Sequence, residues 1–278
     1  MKSKIVILGI GLLLVFGTGC DKLRSRDKIN RGIAAYKGAK YADAVELFKQ
    51  AVALDAGNIN GRLYLATAYM SQYIPGAESP ENLQLAKQAK EEFSKVLESH
   101  PNDTTALASL ASLSYQQAQG MPDLDAKIKK LDEAKEWYMK LIAADPQNKE
   151  GFYSLAVIDW VKWYAAWMKS RADLGMKPEE SGPLKDKKVK AELKEKYSAV
   201  IEDGIKNLEQ ALKIDPNYDD AMAYMNLLVR ERADLVDNPD EYKKQIEVAD
   251  SWVQRAVDTK KMKAARQPAT GGITAESK

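Results

Sequence analysis

One histidine and one cysteine stand in 278 residues, and they bound the chemistry available to this chain. A Ser-His-Asp hydrolase needs a histidine that a nucleophile can reach. His100 lies in the phrase SHPND (99–103), directly before Pro101, in a turn where a polar ring meets a helix C-terminus. One His and one Cys cannot assemble the usual transition-metal ligand sets. No phosphate-cradling glycine loop and no glycine-rich strand-to-helix motif is present. Carboxylates are plentiful but alternate with lysine, as in KDKKVKAELKEKY (185–197), the pattern of a solvated helix face with i,i+4 pairs. The residues point to no catalytic group, no metal and no cofactor, so the expectation is a protein that is not an enzyme.

The residues most able to make a contact are aromatic. DWVKWYAAWMK (159–169) holds three of the five tryptophans, and Trp160, Trp163 and Trp167 fall at i, i+3 and i+7 on one side of a helix. One reading is core, with the stripe packed along the next helix against Val189, Leu193 and Val200. The other is an exposed aromatic anchor for a protein or a membrane surface, where Trp and Tyr are enriched.

Cys20 follows a basic start, Met1-Lys2-Ser3-Lys4, an apolar run from Ile5 to Phe16, and Gly17-Thr18-Gly19. This is the layout of a secretory signal. The apolar run makes a helix of roughly 18 Å, too short for a bilayer core of about 30 Å. Small residues before a lone Cys resemble a bacterial lipoprotein signal, with Gly19 in place and Gly17 where the family has Leu. The resemblance implies cleavage after residue 19 and acyl chains on Cys20, and so a lipid-anchored protein of the bacterial cell envelope that faces the periplasm. A free thiol after an ordinary signal, or an uncleaved anchor, is the alternative. Asp21 resembles the signal for retention at the inner membrane, with the outer membrane as the other possibility. Without Lys2 and Lys4 the chain carries 40 basic and 40 acidic residues. A phosphate backbone is met by a strong positive excess, so nucleic acid is not an expected partner.

Four phrases, LDAGN (54–58), SHPND (99–103), ADPQN (144–148) and IDPNY (214–218), start 45, 45 and 70 residues apart and read as turns between amphipathic helices. Before each stands a small residue, a large one four on and an apolar one three further. The sets are Ala44-Phe48-Ala51, Ala89-Phe93-Val96, Ala134-Tyr138-Leu141 and Gly204-Leu208-Ala211, with a fifth at Ala249-Val253-Ala256. Each set shares one helix face. RGIAAYKGAKYADAVELFKQAVALDAGN (31–58), with Gly32, Tyr41, Ala44, Phe48 and Ala51 in register, resembles the tetratricopeptide repeat, a helix-turn-helix unit of 34 residues. The resemblance implies an all-α, right-handed superhelical solenoid of about five units, near 27–58, 59–102, 103–148, 149–218 and 219–262. Residues 20–26 read as a short tether and 263–278 as a disordered tail. Units two and three carry about eleven extra residues, which lengthen the hairpin tip and second helix. Unit four carries about thirty-six, read as a long helical hairpin that projects as a finger.

Arrays of this type bind through a concave face lined by first helices. That mapping selects Ile33, Tyr36, Lys37, Leu63, Thr67, Met70, Tyr115, Tyr153, Trp160, Asn226 and Arg230. Ile29 and Ile33 stand where relatives that grip a C-terminal carboxylate have Lys and Asn, so an extended or helical apolar segment suits this groove better. The expected function is a protein-binding scaffold or adaptor in assembly of a membrane, secretion or pilus complex. Relatives with a lipid anchor and a short array serve outer-membrane protein assembly or support pilus secretins. The alternative is a periplasmic chaperone-like holder of unassembled clients.

Overall fold

The computed structural model describes residues 3–177, 180 and 182–266, with side chains from residue 20 onward. All regular structure among these residues is helical: α1 (Ser3–Lys37), α2 (Tyr41–Leu54), α3 (Ile59–Met70), α4 (Pro80–Ser99), α5 (Thr104–Gln119), α6 (Leu124–Ala144), α7 (Lys149–Asp173), α8 (Lys187–Ile214), α9 (Asp219–Ala233) and α10 (Pro239–Arg266). Consecutive helices pair as α1/α2, α3/α4, α5/α6, α7/α8 and α9/α10, giving five hairpins. The chain divides into two compact units, residues 1–145 and 146–278.

The recurring phrases are one local device used four times. The C-cap residues Asp55, His100, Asp145 and Asp215 each return their N–H to the carbonyl four residues back, at 2.8–3.0 Å. Three residues on, Asn58, Asp103 and Asn148 cap the next helix, their side chains accepting from the N–H of Gly61, Ala106 and Gly151 at 3.0, 2.8 and 2.9 Å. A side-chain acceptor at this place satisfies an orphan helix donor and contributes about 1 kcal/mol. Tyr218, the fourth, makes no such bond. His100 is therefore a C-cap residue in a structural turn.

In the first unit the small residues let helices close. Ala44, Phe48, Ala51, Ala89, Phe93 and Val96 are all buried in one core with Leu65, Ala66 and Leu110. A Cβ added at Gly32 on α1 would stand 2.5 Å from the Phe48 ring, so only glycine admits that crossing. The extra residues of units two and three lengthen the second helices to 20 and 21 residues, against 14 in α2. They also build the tips. Asn82 ties the first tip by accepting from Ile74 N–H at 2.7 Å and donating to the carbonyls of Ile74 and Ala77 at 2.8 and 2.7 Å.

Residues 20–26, read as a short tether, form part of the continuous helix α1. Ser25 is buried there, its hydroxyl donating to the Ala51 carbonyl at 2.9 Å. At the other end α10 continues through residues 263–266, into the expected tail; the remainder of that tail lies outside the described residues.

The second unit holds the long hairpin, α7 of 25 residues and α8 of 28. Its tip is not a free finger. The Leu184 N–H donates to Asp234 O at 3.2 Å, and Lys190 Nζ reaches the Asp237 carboxylate at 2.8 Å, so the tip is fastened to the turn between α9 and α10. Met176 and Leu184 are buried there with Met225 and Leu228. A projecting hairpin would leave those side chains in water; docking on the last hairpin covers them. On α10, Ala249 and Ala256 are buried but Val253 is 41 % exposed, since no further hairpin covers it among the described residues.

The tips of units two and three meet at glycine. A Cβ on Gly120 would lie 2.4 Å from the Gly76 amide nitrogen, a backbone atom with no freedom to move alone, and Gly76 itself has φ +81°. Gly120→Ala is expected to destabilise the first unit by about 1–3 kcal/mol, the range for overpacking. Denaturant unfolding of the variant beside the parent checks it.

Candidate functional site

Five residues selected on the concave face come together in the first unit. Ile33, Tyr36 and Lys37 from α1 and Leu63 and Thr67 from α3 line one groove of about 680 Å³, joined by Phe48, Asn60, Tyr64 and Thr105. Lys37 is the single charged residue among these. Two of the polar groups within the groove are spent on the protein itself. The Thr67 hydroxyl donates to the Leu63 carbonyl at 2.7 Å, and Tyr36 Oη shares a hydrogen bond of 2.8 Å with Ser71. Tyr64 stacks on Phe48 with centroids 5.5 Å apart, and Tyr36 stands edge-on to Tyr41 at 5.2 Å. The groove thus offers aromatic faces and aliphatic groups, with Lys37, Asn60, Tyr64 and Thr105 as the other polar groups of its lining.

Met70 does not line it; it packs against the core of that unit. Tyr115, on α5, is half-buried and also lies outside the groove. Asn60, Tyr64 and Thr105 escaped the sequence reading. Asn60 and Tyr64 continue the Leu63–Thr67 face at i and i+4 and were legible from α3 alone. Thr105 arrives from the next hairpin and was not.

In the second unit the tryptophan stripe divides. Trp163 has no exposure and turns its ring to Tyr197 of α8, centroids 5.7 Å apart, near Leu193 in the same core. Trp160 and Trp167 are half-buried and turn toward α9 instead. The Trp160 N–H donates to the Glu231 carboxyl at 3.1 Å and the Trp167 N–H to Asp234 at 2.9 Å. Between them runs a ladder of rings. Tyr153 meets Tyr218 and Tyr224 at 5.2 and 5.4 Å, Trp160 meets Tyr224 and Tyr164 at 5.3 and 4.7 Å, and Tyr164 meets Trp167 at 5.6 Å. Asn226 and Arg230 of α9 bond to each other at 3.2 Å, and Arg230 reaches Asp250 of α10 at 2.5 Å.

Three charged residues of this cluster had no signal in the sequence. Arg171 is 2 % exposed, Glu231 and Asp234 each 5 %. Arg171 Nη1 donates to Asp234 at 2.7 Å, its guanidinium lies over Trp167 at 5.0 Å, and its other nitrogen bonds to the Glu180 carbonyl. Burial pushes the Glu231 carboxyl up to about 8, against the pull of the Trp160 and Trp163 N–H groups, and the nearby Asp234 charge adds to the rise. Burial also raises Asp234, opposed by Trp167 and Arg171. Glu231 is thus a neutral acid at pH 7 and Asp234 is the partner of a buried guanidinium. Among the described residues no three His, Cys, Asp or Glu side chains stand together as metal ligands.

Cys20 is an exposed free thiol on α1. No helix among the described residues is long and apolar enough to cross a membrane.

Residues 125–148 match the tetratricopeptide repeat family model, and residues 184–267 match the model of the plant specific mitochondrial import receptor subunit TOM20. No curated protein matches the chain in sequence. Among solved structures, a MamA RS-1 double mutant superposes with TM-score 0.51 at 14 % identity, over 87 % of this chain and 97 % of that one. Another MamA structure gives 0.49 at 15 % identity over 90 % and 98 %. A thermophilic tetratricopeptide protein of Thermus thermophilus, TTC0263, gives 0.45 at 14 % over 87 % and 97 %. At this identity the likeness concerns the fold alone: an all-helical array of tetratricopeptide-type hairpins.

The raised Glu231 sets a pH dependence. Its folded value of about 8 exceeds the ordinary 4.5 of a glutamate in water. The folded state therefore holds the proton more tightly, and the resulting stability is complete below pH 4.5 and lost as pH rises through 8. Thermal melts should show the second unit weakening by about 1 kcal/mol between pH 7 and pH 9. Glu231→Gln, which keeps an acceptor for Trp160, is expected to flatten that slope.

Proposed function

We propose that this chain is a non-catalytic scaffold of the bacterial cell envelope, held at a membrane by a lipid on Cys20 and binding a protein partner along the groove between α1 and α3. The observation that carries the reading is the groove itself, about 680 Å³ with one charged residue in its lining. Ligand sites are concave and mostly apolar, with few polar groups. An apolar extended or helical segment gains from burial against Ile33, Leu63, Tyr36 and Tyr64, and offers no charge that the groove would leave unpaired.

The anchor has a physical rationale. Each buried CH₂ contributes about 0.8 kcal/mol, so several acyl chains hold where one only marginally does. Ser25 docks onto α2 only five residues after Cys20, about 7.5 Å of helix. A lipid on Cys20 would keep the first hairpin, and with it the groove, close to the bilayer. The exposed thiol is free for such a modification. The role is that of an adaptor in assembly of a membrane, secretion or pilus complex.

A photo-crosslinker at Tyr64, followed by mass spectrometry of the native envelope, tests the partner. One or a few stoichiometric products are expected, and Leu63→Asp should reduce them at least tenfold, with circular dichroism checking that the variant still folds. A broad smear of unrelated products would favour the holder of unassembled clients. Cys20→Ala should release the protein from the membrane fraction; unchanged fractionation, with a mass reduced only by a signal peptide, would overturn lipidation.

A further inference from the structure

The second unit has a pocket of its own, about 390 Å³, bordered by α7, α9, the start of α10 and residues 180 and 182. Tyr164, Trp167, Leu227, Tyr242 and Ile246 supply its walls. Five charged residues also face it: Arg171, Glu180, Arg230, Glu231 and Asp234. Four are matched. Arg171 is held by Asp234 at 2.7 Å and by the carbonyls of Gly182 and Glu180, and Arg230 by Asp250 at 2.5 Å. Glu180 pairs with Lys185 at 2.7 Å, and Asp234 takes both Arg171 and the Trp167 N–H.

Glu231 is different. One oxygen accepts the Trp160 N–H at 3.1 Å, while Oε2 is buried without a hydrogen bond of normal geometry, as is the Trp163 N–H that pulls on the same carboxyl. A buried carboxyl oxygen without a donor costs about 1–3 kcal/mol, and natural proteins retain such groups for a reason. The last torsion of a glutamate is soft, so a turn of the carboxyl brings Oε2 toward the pocket without moving α9. Tyr164 and Trp167, with centroids 5.6 Å apart, line the same pocket, and aromatic faces attract cations, as the Arg171 guanidinium over Trp167 at 5.0 Å shows.

We propose that this pocket binds one cationic group, a primary ammonium or a guanidinium, with Glu231 as its counter-charge and Tyr164 and Trp167 as its aromatic walls. The group comes either from a Lys or Arg side chain of a docked polypeptide or from a free small amine. The volume accommodates one such chain and little more. The site does not depend on the groove of the first unit.

Calorimetric titration of the mature chain at pH 7.5 with n-butylammonium, n-butylguanidinium and the amide of Gly-Lys-Gly tests it, with 1-butanol and Gly-norleucine-Gly amide as neutral counterparts. At least one cation is expected to bind with millimolar or lower Kd, ten times or more tightly than its counterpart. Glu231→Gln should weaken that binding at least tenfold, with an unchanged circular dichroism spectrum showing that the variant folds. Since the cation favours the ionised carboxyl, affinity should rise from pH 6 to pH 8. Leu63→Asp, in the other unit, should leave amine binding unchanged. Binding by the peptide alone assigns the site to a partner's side chain; equal binding by the free amine assigns it to small amines. No binding by any cation, equal binding by the neutral probes, or full retention in Glu231→Gln would overturn the proposal.

Discussion

A large side chain meeting a small one sets the geometry on which the structure rests. Phe48 of α2 lies so close to Gly32 of α1 that a Cβ there would stand 2.5 Å from its ring, and a Cβ on Gly204 of α8 would stand 2.8 Å from the tip of Leu228 of α9. These contacts bring helices near enough for apolar faces to exclude water, and no single hairpin could cover its own face. Within each unit a second helix packs against the next hairpin, α2 on α3, α4 on α5 and α8 on α9, as repeat arrays require. The alanines at 44, 89, 134 and 249, all fully buried, hold corresponding places. The cost of breaking the rule falls on packing, since a larger side chain at these buried places meets filled space.

Polar residues act chiefly at the ends of the helices in the first unit and within the core in the second. In the first, Asn58, Asp103 and Ser79 cap helices at the surface, and Asn82 closes a tip with three hydrogen bonds. In the second, Arg171 and Asp234 form an ion pair with side chains 2 % and 7 % exposed. A buried pair seldom adds stability over an apolar substitute, because desolvation offsets the attraction. What the pair does here is positional. It fastens the last turn of α7 to the end of α9, together with Lys190 on Asp237, and so makes the long hairpin a wall of the pocket beside Glu231.

The two cavities differ in kind for the same reason. The groove of the first unit lies between α1 and α3, where first helices of neighbouring hairpins diverge and expose aromatic and aliphatic side chains. The pocket of the second lies where acidic residues of α9 face the indole N–H groups of α7, so hydrogen bonding and charge dominate it. An apolar polypeptide segment suits the first, and a charged head on a short stem suits the second.

The sequence alone determined the helical hairpins, because their signals are local. A cap, a proline after it and a small-large-apolar triplet act within a few residues, so the starts at Pro80, Lys149 and Pro239 and the turns at 54–58, 99–103 and 214–218 were legible. Part of the groove was legible too, since Leu63 and Thr67 share a face with 3.6-residue periodicity. Other features were decided only by tertiary structure. Trp160, Trp163 and Trp167 read as one stripe, yet α8 claims the middle ring and α9 the outer two, because two helices approach α7 from different sides. Glu231 reads as one more surface acid, but burial beside α7 strips its water and keeps its proton. Helix periodicity reports which residues share a face; only the fold reports what that face meets, and desolvation depends on what it meets.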